Sequence, residues 1–467
     1  MIFIFTKQNG WIYLLFTAHT KPKKRVKRML ATDELETYRI SCGQMNYTLQ
    51  WLSTLADDKQ IKERLLPYLM AVQPATLAQL QSTTPIPGIL FVTNIDAQKY
   101  LLQGHVSVIM ENTVGPKTPA AVIPVQKQQY RSIEEPKEEF AELGPFEAFT
   151  ESLETNLYMM RRRLPIEEVC VHKIEYDNGR IKGAIIYHMD DKQKALQLEE
   201  EVQTAFENYT DSIMDTSTLA MAMNGLQFTL SNVNLLTEIP VQCVRRVMQG
   251  QVVLLLEGSR KGLIAPTYFS DYFKASSDYL LPLPFVILVR AIRVFSFIMG
   301  LTMLPLYVAI INYHYQMIPS KVIETLFISR YAVPFSAFFE ALIMEAALLV
   351  LLEAVARLPT KLSQSAGVVA GIVLGTAAVE AKLVSNIMIV VMGASALFTL
   401  ASASIALRNS LFVYSIPALL LANYMGITGI FLFWFLLMAR LLQVKSLNRP
   451  FTTFGFPALT DFFRRRF

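Results

Sequence analysis

Three glutamates, Glu340, Glu345 and Glu353, stand inside one long apolar run, PFSAFFEALIMEAALLVLLEAVARLP, at positions 334–359. A carboxylate in such a setting can attract a cation, relay a proton or pair with a buried partner. It is costly there, at about 2.5–3.5 kcal/mol at a bilayer centre, against a return of roughly 0.3–0.6 kcal/mol from each large apolar residue. As a lone lipid-facing span the segment is marginal, so some of these carboxylates must avoid lipid. If the helix starts at Pro334, Glu340 lies about 9 Å in and Glu345 about 16 Å in, which makes Glu345 the deep one. Glu353 has Arg357 four residues on, the favourable order for a helical ion pair. Glu340 and Glu345 are about 140° apart around the axis, so they cannot share one narrow face. For each, a position on a pore and a bond to a neighbouring helix or to Lys382 both stand.

Other candidates surround this segment. In VEAKLVSNIM, Glu380 and Lys382 are two apart and would diverge on a helix, so a charged break between two helices is expected there. SAGVVAGIVLGTAAV places Gly367, Gly371 and Gly375 at four-residue spacing, a face that lets another backbone approach closely or lines a narrow passage. Far upstream, Arg161, Arg162 and Arg163 end a periodic stretch of Phe146, Phe149, Leu153, Leu157, Met160 and Leu164. Their charge suits the carboxyl end of a helix, and contact with a partner or a lipid headgroup is the sharper alternative.

Enzymatic signatures are missing. Cys42, Cys170 and Cys243 are odd in number and far apart, which points away from a disulfide framework or zinc site and toward a reducing compartment. The five histidines are scattered, and His172, two residues from Cys170 on a strand, reads as structural. Gly258-Ser259-Arg260-Lys261-Gly262 lacks the spacing of a phosphate loop. Neither catalysis, a metal nor a cofactor is expected. The cluster KPKKRVKR at 21–28 could face nucleic acid, anionic lipid or solvent; with a net charge of only +5 the solvated tail is favoured and no nucleic-acid partner is expected. The opening MIFIFTKQNGWIYLLFTAH lacks a basic leader and cleavage site and reads as an extension.

These residues must be positioned by a chain of 467 residues, 52% hydrophobic, whose apolar runs gather in the last third. The expected fold is α+β/membrane, with two soluble α/β subdomains followed by a polytopic α-helical membrane domain. The boundaries are an N-terminal extension at 1–40, subdomains at 41–130 and 131–285, a membrane domain at 286–447 and a basic tail at 448–467. In the first subdomain KQIKERLLPYLM reads as a helix, with VSVIM and AAVIPV as paired strands. In the second, Asp177-Asn178-Gly179 marks a hairpin turn, a helix spans 191–208, and VVLLLEGSRKGLIAP is a second hairpin. Six apolar segments follow, about 291–313, 334–356, 364–379, 383–407, 410–424 and 427–444, two of them short for a crossing. Arg290 and Arg293 before them and Arg440, Lys445, Arg449 and Arg464–Arg466 after them place both ends on the cytoplasmic side, which requires an even number of crossings.

The stretch RSIEEPKEEF…GPFEAFTESLETNLYMMRRRL resembles the signature of the A subunit of spore germinant receptors, the GerA family. YHYQMIP, the three-glutamate segment, GVVAGIVLGTAAVEAKLVSNIMIVV and SLNRPFTTFGFPAL resemble its later signatures in order, so the likeness covers roughly 41–460. Leu143, Phe146, Ala148, Glu257 and Leu280 depart from the pattern and mark a divergent copy. The resemblance implies a multi-pass receptor in the spore inner membrane, with its soluble half and C-terminus cytoplasmic. It implies a transporter-like, nutrient-binding B subunit and a lipoprotein C subunit as partners. It also implies a homo-oligomeric ring in membrane lipid that conducts monovalent cations when nutrient arrives. A carrier using Glu345 as a proton relay, and a scaffold whose helical half only anchors it, are the alternatives.

Overall fold

The computed structural model describes residues 32–42, 45–110, 119–127, 147–176, 181–209, 213, 215–224, 233–358, 360–401 and 405–452. The basic cluster, the acidic linker at 131–146, the turn at 177–179 and the arginines at 464–466 lie outside these residues.

Two sheets carry the first half. The first comprises β1 (Leu35–Cys42), β2 (Met45–Leu52), β3 (Leu90–Thr93), β4 (His105–Met110) and β5 (Pro119–Pro124), in the order β1-β2-β4-β5-β3. All its pairings are antiparallel. Alternate residues Tyr47, Leu49 and Trp51 of β2 point into a core with Val106, Val108, Ala121 and Ile123. Covering this face are α1 (Asp58–Gln60), the π turn Ile61–Leu65, α2 (Leu66–Val72) and α3 (Leu77–Thr83), through Ile61, Leu65, Leu69 and Leu80. On the other face α4 (Asn94–Leu101) packs Ala97 against Ile109, Ala120 and Val122.

The second sheet comprises β6 (Val169–Tyr176), β7 (Ile181–His188), β8 (Leu235–Thr237), β9 (Val252–Leu256) and β10 (Gly262–Ala265), in the order β6-β7-β9-β10-β8. Counted within each sheet, the order is the same in both, and no sequence repeat announces it. Both expected hairpins are present: β6 pairs with β7 from Val169↔His188 to Tyr176↔Ile181, and β9 pairs with β10. One face is covered by α5 (Leu153–Arg163) and α8 (Pro240–Met248), the other by α6 (Lys192–Tyr209) and α7 (Thr216–Asn224). Helix α5 begins at Ser152, whose side chain accepts from the Thr155 amide, so Phe149 lies before the helix and not within it.

The first sheet starts at Leu35, and Thr32–Glu34 are already bonded to the body of the protein, so the extension read at 1–40 ends earlier. The alternating strand LETYRISC was the missed signal.

The second half is helical: α9 (Leu283–Tyr313), α10 (Ser320–Tyr331), α11 (Ala337–Ala356), α12 (Thr360–Glu380), α13 (Asn386–Leu400), α14 (Ile405–Met425) and α15 (Ile427–Gln443). Helix α10 is additional to the six expected; its Ser320, Lys321, Glu324, Ser329 and Arg330 break up any apolar run. Among the described residues one helix, α9, is both long and apolar enough to cross a membrane, with mean hydropathy 2.2. Shorter apolar helices cover Gly367–Glu380, Asn386–Leu400 and Ile427–Gln443. Val350, Val368, Val390, Leu397, Phe431 and Phe435 are all more than half exposed, an apolar surface that seeks lipid or protein.

The chain then returns to the second sheet. β11 (Lys445–Ser446) and β12 (Arg449–Pro450) pair, Ser446 Oγ accepts from the Thr267 amide at 3.1 Å, and the Phe269 amide donates to the Phe451 carbonyl at 2.9 Å. Leu447, Phe451 and Thr452 are buried, so the tail read from 448 begins with packed structure.

Candidate functional site

The helical half buries its two deep glutamates within a single chain. Glu340, fully buried in the first turn of α11, meets the end of the helix break. Its Oε2 accepts from the amide and the hydroxyl of Ser385, at 3.1 and 2.9 Å, and Ser385 in turn caps α13. Its Oε1 lies 3.3 Å from the guanidinium of Arg330 on α10. The Tyr307 hydroxyl of α9 reaches Ser385 Oγ at 3.3 Å, so four helices converge on one carboxylate. Oε1 makes no hydrogen bond among the described residues, but the Arg330 charge compensates it, so the cluster is a charge-paired clamp.

Glu345 is different. It is 4% exposed, and its Oε1 accepts a hydrogen bond from Ser415 Oγ on α14. The single Ser415 hydroxyl proton is shared between Glu345 and the Phe412 carbonyl, 2.7 Å from Oγ. Glu345 Oε2 has no hydrogen-bond partner among the described residues. Glu34 Oε1 and Glu340 Oε1 also lack a hydrogen bond, but those carboxylates face Arg161 and Arg330, whereas no ion pair is seen for Glu345 among the described residues. A buried carboxyl oxygen in that state is destabilising unless a proton, cation or partner reaches it. Lys382 partners neither glutamate in any described contact; it sits exposed with φ +56° in the turn that ends α12. Glu380, the last residue of α12, is exposed beside it. Glu353 pairs with Arg357 at 2.9 Å on the surface.

Of the glycines, a Cβ on Gly367 would meet Val355 of α11 at 3.4 Å and one on Gly375 would meet Ile389 of α13 at 4.0 Å, while one on Gly371 would meet nothing within 4 Å. The middle of the small-residue face is therefore unused within the chain.

The arginine run divides. Arg161 is buried, 3.2 Å from Glu34, and donates to the Val169 carbonyl at 2.9 Å, so it is no surface contact for a partner or lipid. Arg163 pairs with Glu147 and donates to the Met159 carbonyl, which leaves Arg162 as the exposed member. Their reach across the fold to residues 34 and 147 is invisible in local spacing.

Arg290 and Arg293, the basic residues ahead of the first apolar segment, are engaged within the fold. Both bind the fully buried Asp278 at 2.8 Å, and Arg293 donates to the Phe273 carbonyl at 3.0 Å. One layer away, buried Asp271 lies 2.8 Å from Arg246 and 2.9 Å from Lys274, which hold its carboxyl well below the usual range despite burial. Arg245 stacks over Tyr279 at 4.0 Å. The Asp278 cluster ties the segment that follows the second sheet to α9.

A family model described as Bacillus/Clostridium GerA spore germination protein matches residues 23–466, across both halves. The chain belongs to the GerA family. It is 31% identical over 416 residues to spore germination protein GerQA of Bacillus cereus, covering 89% of this chain and 83% of that one. It is 30% identical to spore germination protein GerIA of Bacillus cereus, covering 93% of this chain and 66% of the relative. Among solved structures, the N-terminal domain of the A subunit of the Bacillus megaterium germinant receptor GerK3 aligns with 51% of this chain and 90% of that one, at 15% identity and TM-score 0.34.

Within this GerA-family chain the Glu340 clamp gives a direct prediction. Glu340→Gln keeps an acceptor for Ser385 but loses the charge facing Arg330, and is expected to destabilise the helical half by about 1–3 kcal/mol. A lowered thermal midpoint in detergent, without change in the circular dichroism of the folded state, is the expected reading.

Proposed function

We propose that this chain is the A subunit of a nutrient germinant receptor in the spore inner membrane, a subunit of a ring that passes monovalent cations when nutrient is sensed. The observation that carries this reading is the family match across both the sheet and helical halves. The exposed apolar surface of the helices suits a membrane, and the helical half starts and ends against the second sheet, through Asp278–Arg290 and Ser446–Thr267. Both ends on one side require an even number of crossings, with the shorter helices crossing obliquely or lying at the interface. A transporter-like B subunit and a lipoprotein C subunit are its partners in this reading, and catalysis plays no part.

In this reading Glu345 serves the cation path and Glu340 holds the helices that frame it. Deleting the gene in the spore-forming host and scoring germination on amino acids, sugars and nucleosides tests the receptor assignment. Normal germination on every nutrient would sink it. For the path itself, Glu345→Gln is expected to assemble normally and slow cation release at least about tenfold, the equivalent of about 1.4 kcal/mol. Unchanged release would make the helical half an anchor.

The enclosure of Glu345 within one chain, against Ser415, also supports a second reading, a carrier in which this carboxyl relays a proton. Single-channel currents in a bilayer favour the ring; saturable, stoichiometric flux favours the carrier.

A further inference from the structure

The residues just before β1 do not belong to the first sheet alone. The Asp33 amide donates to the Val171 carbonyl at 3.2 Å, the Val171 amide donates to Thr32 Oγ1 at 3.2 Å, and Thr32 Oγ1 donates to the Val171 carbonyl at 3.1 Å. Thr32–Asp33 thus line the edge of β6 in the second sheet. The next residue, Glu34, accepts from the Ser53 amide at 2.9 Å beside the end of β2 in the first sheet. This short strap crosses from one sheet to the other, and Lys173 Nζ spans the same gap to Ser53 Oγ at 3.4 Å.

His172 sits over the strap. Its Nδ1 is 2.6 Å from Asp33 Oδ2 and its Nε2 is 3.2 Å from Glu199 Oε1 on α6. Opposite it on β7 is Ile185, and the neighbouring Lys173 amide donates to the same Asp33 oxygen at 3.2 Å. A neutral imidazole carries one N–H, so it can donate to one of these carboxylates while its lone pair faces the other. Only the imidazolium donates to both.

We propose that His172 is a proton-dependent latch, holding the Thr32–Glu34 strap of the first sheet onto β6 of the second when protonated and loosening it when neutral. Burial alone would lower the imidazole pKa, but hydrogen bonds and charge from Asp33 and Glu199 outweigh it and hold it above the ordinary 6.5. The sign follows: the latch's contribution is fully present below the unfolded value of about 6.5 and is lost as pH rises through the raised folded value. The buried Arg161–Glu34 pair, one residue along, keeps the strap attached while the latch opens.

The test is amide hydrogen exchange on the full chain in detergent between pH 6 and 9, corrected for the intrinsic exchange rate. Protection of Asp33, Val171 and Lys173 is expected to fall about tenfold across this range, as for loss of one charge-assisted hydrogen bond, while β9 and β10 stay unchanged. His172→Gln is expected to show the low protection at every pH. Glu199→Gln, half-buried on α6, is expected to keep the fall but move its midpoint to lower pH. Protection independent of pH in the wild type, the wild-type fall retained in His172→Gln, or an unmoved midpoint in Glu199→Gln would each overturn the latch.

Discussion

Asp278→Ala is expected to cost the chain about 3–5 kcal/mol, a large fraction of the stability of a typical folded protein. The carboxylate has no exposure and receives Arg290 and Arg293 together at 2.8 Å. Its removal strands two guanidinium groups, only one turn apart on α9, without their shared anion, and their mutual repulsion adds to the desolvation cost. The same residue caps its own turn, accepting from the Ala275 amide at 3.4 Å. Because this is where the second sheet meets the long apolar helix, the loss should appear as detachment of the two halves as well as lower stability. Thermal unfolding in detergent should show a much lower midpoint, and proteolysis should cut near 274–283. Asp278→Asn, which keeps the shape and an acceptor, should be damaged less than Asp278→Ala. Equal midpoints for wild type and Asp278→Ala would show that burial of these charges contributes nothing to the junction.

This junction also shows where sequence reading stopped. Arg290 and Arg293 were legible as basic residues at the mouth of an apolar run, a pattern that speaks to orientation and says nothing of a partner. The carboxylate that claims them lies 12 and 15 positions upstream in SSDYL, which carries no periodic signal. Local chemistry was readable elsewhere. The stripe Leu153, Leu157, Met160 located α5, Asn178-Gly179 located the β6–β7 pairing, and the i,i+4 spacing located the Glu353–Arg357 pair. Each is set within a few residues by backbone geometry. The partners of Glu340 and Glu345 are not, since Ser385 is 45 positions away and Ser415 is 70. Depth along the helix identified Glu345 as the unusual carboxylate, but only packing shows that it faces the interior of its own bundle. The repeated strand order of the two sheets was equally hidden, because topology can recur where side chains share only their polarity.

The second large effect is expected at Gly429, near the start of α15. A Cβ built there falls on the carbonyl oxygen and carbon of Leu421 in α14, and at 3.2 Å from the Ala422 amide. These are backbone atoms of a packed helix, so no side-chain rotation can relieve the collision. The two helices are joined through Gly426, whose φ of +61° sets the turn, and the Tyr313 hydroxyl donates to the Asn423 carbonyl at 2.8 Å on the same corner. Shifting α15 outward would unseat Ile430, Phe433, Leu437 and Leu441, its buried face. Gly429→Ala is therefore expected to destabilise by about 3 kcal/mol, the upper end for overpacking, despite the better helix propensity of alanine. Gly371→Ala supplies the contrast, since a Cβ there meets nothing within 4 Å and alanine should stabilise an isolated chain by about 0.5–1 kcal/mol. The comparison also tests the proposed ring. If a second copy packs on the helix face around exposed Gly371, Gly371→Ala will raise the midpoint of the monomer yet weaken the oligomer, seen as a smaller particle by light scattering in detergent. A Gly371→Ala chain that gains stability and keeps its oligomer would place the contact between copies on another helix.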